Sequence, residues 1–81
     1  MRGPRLNVER RQVLQLLASN PDGVNEELLV LDHRFTRRML AGLVHTGLAT
    51  ADREIVKAGG KPIEVVRVRI TAAGRRAIDG N

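Results

Sequence analysis

Arginine side chains are the residues of this chain whose type and spacing best suit a binding chemistry. The chain has 81 residues and a net charge of +5. Residues 1–32 carry 4 basic and 5 acidic groups, whereas residues 33–81 carry 10 basic and 4 acidic groups. Within the second part, Arg34, Arg37 and Arg38 fall within five positions. Because arginine bonds phosphate or guanine through two parallel donors, this cluster indicates a polyanionic partner such as nucleic acid, although a solubilising surface is the alternative.

Other chemistries find no support in the residue types. There are no cysteines, and His33 and His45 lie twelve positions apart without a carboxylate cluster, so we expect no metal site. No nucleophile–base pair or cofactor motif is present, so we expect no enzyme activity and no cofactor. The segment 59–62, Gly-Gly-Lys-Pro, lacks the spacing and the Ser or Thr of a phosphate-binding loop. Phe35 is the only aromatic residue, which argues against modules that stack single-stranded bases.

The length and the hydropathy pattern indicate one domain without a membrane segment. We expect residues 1–6 to be a flexible N-terminal arm and residues 7–79 to form a single domain. No apolar run approaches the roughly 20 residues that span a bilayer, and the N-terminus lacks the apolar stretch of a signal peptide. The expected compartment is therefore the cytoplasm.

Two helices are predicted before the arginine cluster. Asn7 is suited to cap a helix over residues 8–19, which the segment 20–23, Asn-Pro-Asp-Gly, ends. Asn25 is suited to cap a short second helix that contains the apolar run 28–31, Leu-Leu-Val-Leu. A helix of that length buries one face, so one or two residues of the run should be only partly covered. They are expected either to pack under the ribbon or to bind a protein partner or a second copy of the chain, for which Leu29 and Val30 are the candidates.

The third helix is predicted over residues 33–46, with Asp32 as its N-terminal cap. Gly47 suits the left-handed position after a helix, and Leu48 can then pack on Leu43. Its inward side is predicted to carry Phe35, Met39, Leu40, Leu43 and Val44. Its outward side is predicted to carry Arg34, Arg37, Arg38, Ala41 and His45.

A β-ribbon and a last helix are predicted to follow. The segment 66–70, Val-Arg-Val-Arg-Ile, alternates strictly between apolar and basic residues, as a half-buried strand does. A turn at Gly59-Gly60 sets Ala51 opposite Val68 on the buried face and Asp52 opposite Arg67 on the exposed face. Thr71 is suited to cap a final helix that turns Ala73, Ala77 and Ile78 inward. The core is predicted to contain Val13, Leu17, Leu28, Phe35, Met39, Leu43, Leu48, Val68 and Ile70.

Two phrases of this sequence resemble a known family. They are Met39-Leu40 … Leu43-Val44 … Gly47-Leu48 and, after the Gly-tipped ribbon, Ile70-Thr71-Ala72-Ala73-Gly74-Arg75. They are similar to the winged-helix cores of bacterial transcription regulators of the MarR and PadR type, in which a Leu-x-x-x-Gly-Leu phrase ends the recognition helix and a Leu/Ile-Thr-x-x-Gly-Arg phrase follows the wing. The resemblance covers residues 8–79. It implies an α+β, mostly α, winged helix-turn-helix fold with three helices, a two-stranded antiparallel wing and a short C-terminal helix.

By this resemblance, helix 33–46 would lie in the major groove of double-stranded DNA and the wing tip, residues 57–62, would lie on phosphate. The DNA-binding residues that it implies are Arg34, Thr36, Arg37, Arg38, Lys57, Gly59, Gly60 and Lys61. MarR and PadR relatives carry extra helices that build a dimer, and 81 residues leave no room for them. Whether this chain forms a dimer therefore stays open.

Three functions compete at this point. The first is a small winged-helix DNA-binding protein that regulates transcription. The second is a winged-helix protein-interaction module that uses the apolar surface 28–31. The third is a structural or accessory subunit that touches nucleic acid without sequence preference.

Overall fold

A computed structural model describes residues 7–79 as a small α+β fold. Within this range the chain forms four helices and one three-stranded antiparallel sheet. The elements are, in order, α1 Val8–Ala18, β1 Val24–Asn25, α2 Glu26–Leu31, α3 Arg37–His45, β2 Ala49–Ala58, β3 Lys61–Ile70 and α4 Ala72–Asp79. The N-terminal arm predicted over residues 1–6 lies outside the described residues.

The first two helices begin at the caps that the sequence predicts. The Asn7 side chain accepts a hydrogen bond from the backbone N–H of Arg10 at 2.7 Å. The Asn25 side chain accepts one from the backbone N–H of Glu27 at 2.8 Å. In both helices acidic residues occupy the first turn, where the helix dipole favours negative charge. Both capping predictions are confirmed.

The third helix begins later than predicted, so the range 33–46 is wrong at its start. Asp32 is the C-terminal cap of α2, where its backbone N–H bonds to the carbonyl of Leu28. Arg34 has φ +62°, in the left-handed region, and so cannot continue a right-handed helix. The N-terminal cap of α3 is Thr36, whose Oγ1 accepts a hydrogen bond from the backbone N–H of Met39 at 3.1 Å. Asp32 and Thr36 both suit a cap by residue type, and the conformation of Arg34 decides between them.

The C-terminal end of α3 has the predicted Schellman geometry. Gly47 has φ +82°. The backbone N–H of Leu48 bonds to the carbonyl of Leu43 at 2.9 Å, and that of Gly47 bonds to the carbonyl of Val44 at 3.0 Å. These two bonds satisfy carbonyls that the last helical turn leaves free, and they direct the chain into β2.

The ribbon has the predicted register. A third strand, which the sequence did not predict, extends the sheet. Ala51 lies opposite Val68 and Asp52 lies opposite Arg67. Gly59 and Gly60, with φ +62° and +80°, form the two-residue turn at the tip, a conformation that favours glycine at both positions. The short strand β1 then pairs with β3, so the strand order is β1-β3-β2. Two residues are too few to show a periodic pattern, which is why this strand was missed.

The core lies between the helices and the base of the ribbon. Its buried residues are Val13, Leu14, Leu17, Leu29, Leu40, Leu43, Ala49 and Val68. Four residues of the predicted core, Phe35, Met39, Leu48 and Ile70, are half-buried and pack against it.

Four predictions of burial or exposure need correction. Leu28 was predicted in the core and is 48% exposed, whereas Leu29, predicted at a partner surface, is fully buried. The six residues of α2 do not determine from sequence which side of the helix faces inward, and the structure turns Leu29 to the core. Val44, predicted inward, and Ala51, predicted buried, are both exposed. The reason is that neither α3 nor the ribbon is covered on the side where these two residues lie.

The last helix packs tightly against the end of α3. Thr71 Oγ1 accepts a hydrogen bond from the backbone N–H of Gly74 at 3.0 Å, which confirms Thr71 as its cap. Thr71 Oγ1 also donates to the carbonyl of Gly47 at 2.6 Å. Gly74 is buried against the carbonyl oxygen of Leu48, and a Cβ at this position would also lie 2.7 Å from Cγ1 of Ile70. No side chain fits here, so glycine sets the distance between α4 and the end of α3.

We predict that Gly74→Ala destabilises the fold by about 1–3 kcal/mol, because the new methyl group must displace backbone. The matched control is Gly42→Ala, also in a helix, where a Cβ would meet only the flexible end of Arg10 at 3.4 Å. Alanine is the better helix former, so this control should be neutral or stabilising by up to about 1 kcal/mol. Urea unfolding measures both variants. Equal effects of the two substitutions would contradict the packing described here.

Candidate nucleic-acid interface

The start of α3 presents the arginine cluster to solvent. Arg34, Arg37 and Arg38 are all exposed. The Arg37 guanidinium lies 3.6 Å from the Glu26 carboxylate, measured from Nε to Oε1, in a partly exposed ion pair. Among residues 7–79, Arg34 and Arg38 have no acidic partner. Two uncompensated positive charges therefore stand at the start of α3, and a third is partly neutralised.

The connection between α2 and α3 holds Arg34 in its unusual conformation. The backbone N–H of Phe35 bonds to the carbonyl of Leu29 at 3.0 Å. The rings of His33 and Phe35, on either side of Arg34, stack with centroids 6.0 Å apart. Phe35 is half-buried and packs against the core, so the connection is anchored to it. A left-handed arginine is about 1–2 kcal/mol less favourable than a right-handed one, and these contacts offset that strain.

Thr36 has a structural role besides any role in binding. Its Oγ1 caps α3, as described above, and it is exposed. The hydroxyl hydrogen of a capping threonine can still donate to an external acceptor. Thr36 therefore lies at the candidate interface. Its capping hydrogen bond explains a threonine at this position even without a ligand.

The ribbon tip is a separate basic feature. Lys57, Gly59, Gly60 and Lys61 are all exposed. Lys57 lies opposite Pro62, and Lys61 lies opposite Ala58, so the two lysines belong to opposite faces of the ribbon. At roughly 3.3 Å per residue, the tip lies about 25 Å beyond Ala51, at the level of α3. The structure thus brings the arginines of α3 together but keeps the lysines of the tip apart from them.

The two arginines of β3 are engaged in the sheet. Arg67 Nε donates to Glu54 at 3.0 Å, and Arg69 bonds both Asp52 at 3.2 Å and Glu54 at 3.3 Å. These pairs run diagonally across the strands, so Asp52, although opposite Arg67, binds Arg69 instead. The hydrogen bond from Arg67, with further contributions from the charges of both arginines, lowers the pKa of Glu54. Two acids on the same face therefore balance both arginine charges.

These same arginines have a packing role. A Cβ on Gly23 would lie 2.5 Å from Cγ of Arg67 and 2.9 Å from Cγ of Arg69. The aliphatic stems thus cover the backbone of the turn that precedes β1. Arg67 and Arg69 are explained by the fold, without a bound polyanion.

An open concavity of about 350 Å³ lies between α3 and the ribbon. The exposed side of α3 lines it with Arg37, Ala41, Val44 and His45, and the ribbon contributes Ala51. Most of its surface is apolar, and Glu26 and Arg37 supply its ion pair. Sequence periodicity predicted Val44 as inward, and this concavity was missed because it arises from the separation between two elements.

The outer side of α2 is the apolar surface of the short helix. Leu28 is 48% exposed and Leu31 is 72% exposed. Val30 is half-buried, and the buried Leu29 cannot contact a partner. The surface available on residues 28–31 thus consists mainly of Leu28 and Leu31, which excludes Leu29 and leaves Val30 partly accessible.

Comparisons with family models, with curated proteins and with solved structures found no match to this chain. None of the helices within residues 7–79 has the length and apolar character needed to cross a membrane. Four features of the described residues bear on function: the start of α3, the concavity beside it, the ribbon tip and the outer side of α2.

Proposed function

We propose that residues 7–79 form a winged helix-turn-helix domain that binds double-stranded DNA and regulates transcription. The order of elements supports this proposal. The helices α2 and α3 are joined by the short connection 32–36, and a Gly-tipped ribbon follows α3. In a helix-turn-helix, the second helix enters the major groove with its N-terminal residues at the base edges. The phrases at 43–48 and 70–75, which resemble those of bacterial regulators, support the regulatory role.

The observation that carries the proposal is the pair of uncompensated arginines at the start of α3. Arg34 and Arg38 stand where a helix-turn-helix meets DNA, and no acid among the described residues pairs with either. One turn further, Ala41 is exposed on the same side of α3 and is small enough to let the helix approach the groove closely. Arginine at such a position bonds guanine through two donors or contacts phosphate.

The strained backbone of Arg34 gives independent support. Glycine adopts a left-handed conformation without steric strain and is the residue that this position would favour for stability. Arginine stands there instead, exposed and without an ion pair in the described chain. A binding role for the side chain explains why an arginine stands here although it makes the fold less stable than a glycine would.

In this proposal the ribbon tip lies on the DNA backbone. Lys57 and Lys61 flank the turn, and the exposed glycines leave its backbone unobstructed. A lysine on phosphate contributes affinity that does not depend on sequence and falls with added salt. At about 25 Å from the level of α3, the tip would contact phosphates outside the groove that α3 occupies.

We predict that Arg34→Gly weakens DNA binding without lowering the stability of the fold. The free energy of unfolding should stay the same or rise by up to about 1 kcal/mol, because the strain is removed. The affinity for a labelled duplex should fall by about fivefold or more, the minimum value of a good arginine–base contact. Urea unfolding and fluorescence anisotropy measure the two quantities.

The matched control is Arg75→Gln, which removes one positive charge from the exposed side of α4. This variant should keep most of the affinity, since α4 does not contribute to the proposed interface. An Arg34→Gly protein that binds as tightly as the wild type would contradict the role of Arg34. An equal loss in both variants would show that only net charge matters.

We also predict that Glu26→Gln strengthens duplex binding by about two- to fivefold, because it releases Arg37 from a partly exposed ion pair. If Arg37 then neutralises one more phosphate, the slope of log affinity against log salt becomes steeper by about 0.9. Anisotropy titrations at several salt concentrations measure both effects. The control is Glu27→Gln, the same change of charge at an exposed neighbour without an ion pair in the described chain. If this control strengthens binding equally, the pair with Arg37 has no role.

A second candidate function is a protein-interaction module. The observation in its favour is the exposure of Leu28 and Leu31 on the outer side of α2. Such side chains fit an apolar groove on a protein rather than the charged backbone of DNA. Under this alternative, binding would depend on these two leucines and not on the arginines of α3.

A further inference from the structure

The exposed side of α3 changes in character along the helix. This side carries Arg37 in the first turn and Ala41 and Val44 in the turn that follows, at helical spacings of four and three residues. Val44 is 36% exposed, so its methyl groups are only partly covered by the protein. Ala51 of the ribbon faces the same concavity. A charged start is thus followed by an apolar, partly open surface on the same side of one helix.

An apolar surface in the major groove has one suitable counterpart. Guanine, cytosine and adenine present hydrogen-bonding groups there, whereas thymine also presents the methyl group at C5. An apolar side chain against a polar base edge leaves that edge without its hydrogen bonds, which is unfavourable. Against a thymine methyl group it removes apolar area from water on both sides.

Resting on the proposed function, we propose that Val44, beside the small Ala41, recognises a thymine methyl group and so contributes to which sequence is bound. The arginines at the start of α3 supply the charge that brings a polyanion to this surface. Arg37 and Val44 are seven residues apart on the same side of α3, about 10.5 Å along a helix. With about 3.4 Å per base pair, the thymine lies about three base pairs from the position that Arg37 reaches.

The test begins with a selection from a library of randomised duplexes, followed by affinity measurements on the recovered site. Each thymine is then replaced by deoxyuridine, which removes the methyl group and leaves the hydrogen-bonding groups unchanged. At the contacted thymine the affinity of the wild-type protein should fall about three- to fivefold, the value of one buried methyl group. Thymines outside the contacted positions serve as internal controls.

Protein variants test whether Val44 is the residue that senses the thymine methyl group. Val44→Ala should bind the thymine and deoxyuridine duplexes with nearly equal affinity, while Val44→Ile should keep the preference for thymine. Lys61→Ala should weaken binding to both duplexes by the same factor, because a lysine at the ribbon tip meets only phosphate. Circular dichroism verifies that each variant remains folded, and Val44 lies outside the buried core.

The outcomes separate this inference from the proposed function. If no duplex binds at about 50 mM salt, both the proposed DNA binding and the recognition of thymine are wrong. The concavity would then be a site for an apolar side chain of a protein partner. If duplexes bind but selection yields no preferred site, or deoxyuridine changes nothing, DNA binding stands and thymine recognition is wrong. A thymine preference that persists in Val44→Ala would also overturn the assignment to this side chain.

Discussion

The end of α3 and the start of α4 are joined by three contacts at the base of the ribbon. Thr71 donates its backbone N–H to the carbonyl of Leu48 at 3.1 Å and its hydroxyl to the carbonyl of Gly47 at 2.6 Å. Gly74 then packs directly on Leu48. Because β2 leaves this junction and β3 returns to it, the direction of the ribbon relative to α3 depends on these contacts. The concavity between helix and ribbon exists only while that angle is kept.

The distribution of charge depends on the same arrangement. Arg67 and Arg69 are neutralised by Asp52 and Glu54 on the ribbon face, so much of the positive charge of β3 does not act on a distant partner. The net positive charge of residues 33–81 is therefore larger than the positive charge that the surface presents to a partner. What remains near α3 is concentrated at Arg34 and Arg38, next to an apolar stretch of helix. A surface of this kind combines electrostatic attraction with a means of discriminating between partners.

Local chemistry explains what could be predicted from the sequence. The caps of α1 and α2, the glycine after α3 and the ribbon register each depend on a few neighbouring residues, and each is confirmed. The start of α3 was misplaced because a left-handed Arg34 is a conformation that tertiary contacts impose. The side of α2 that faces inward could not be predicted, since a helix of six residues with four consecutive apolar positions fits several orientations.

The candidate site, too, was predictable from the sequence only where it depends on neighbouring residues. The clustering of Arg34, Arg37 and Arg38 is visible in the sequence, and the structure presents all three together on the surface. The pairing of Arg37 with Glu26 was not predictable, because it joins residues of two separate helices. The apolar concavity beside them also depends on tertiary packing, since Ala41, Val44 and Ala51 carry no distinguishing pattern of their own.

An amide-resolved NMR titration with a 16-base-pair random duplex at about 50 mM salt tests the central claim most directly. Binding by the proposed surface predicts the largest chemical-shift changes in residues 34–45 and 57–61, with smaller changes on the outer side of α4. Raising the salt concentration should reverse them, since phosphate contacts supply most of the affinity. An unchanged spectrum, or changes confined to the surroundings of Leu28 and Leu31, would contradict DNA binding by α3 and the ribbon tip.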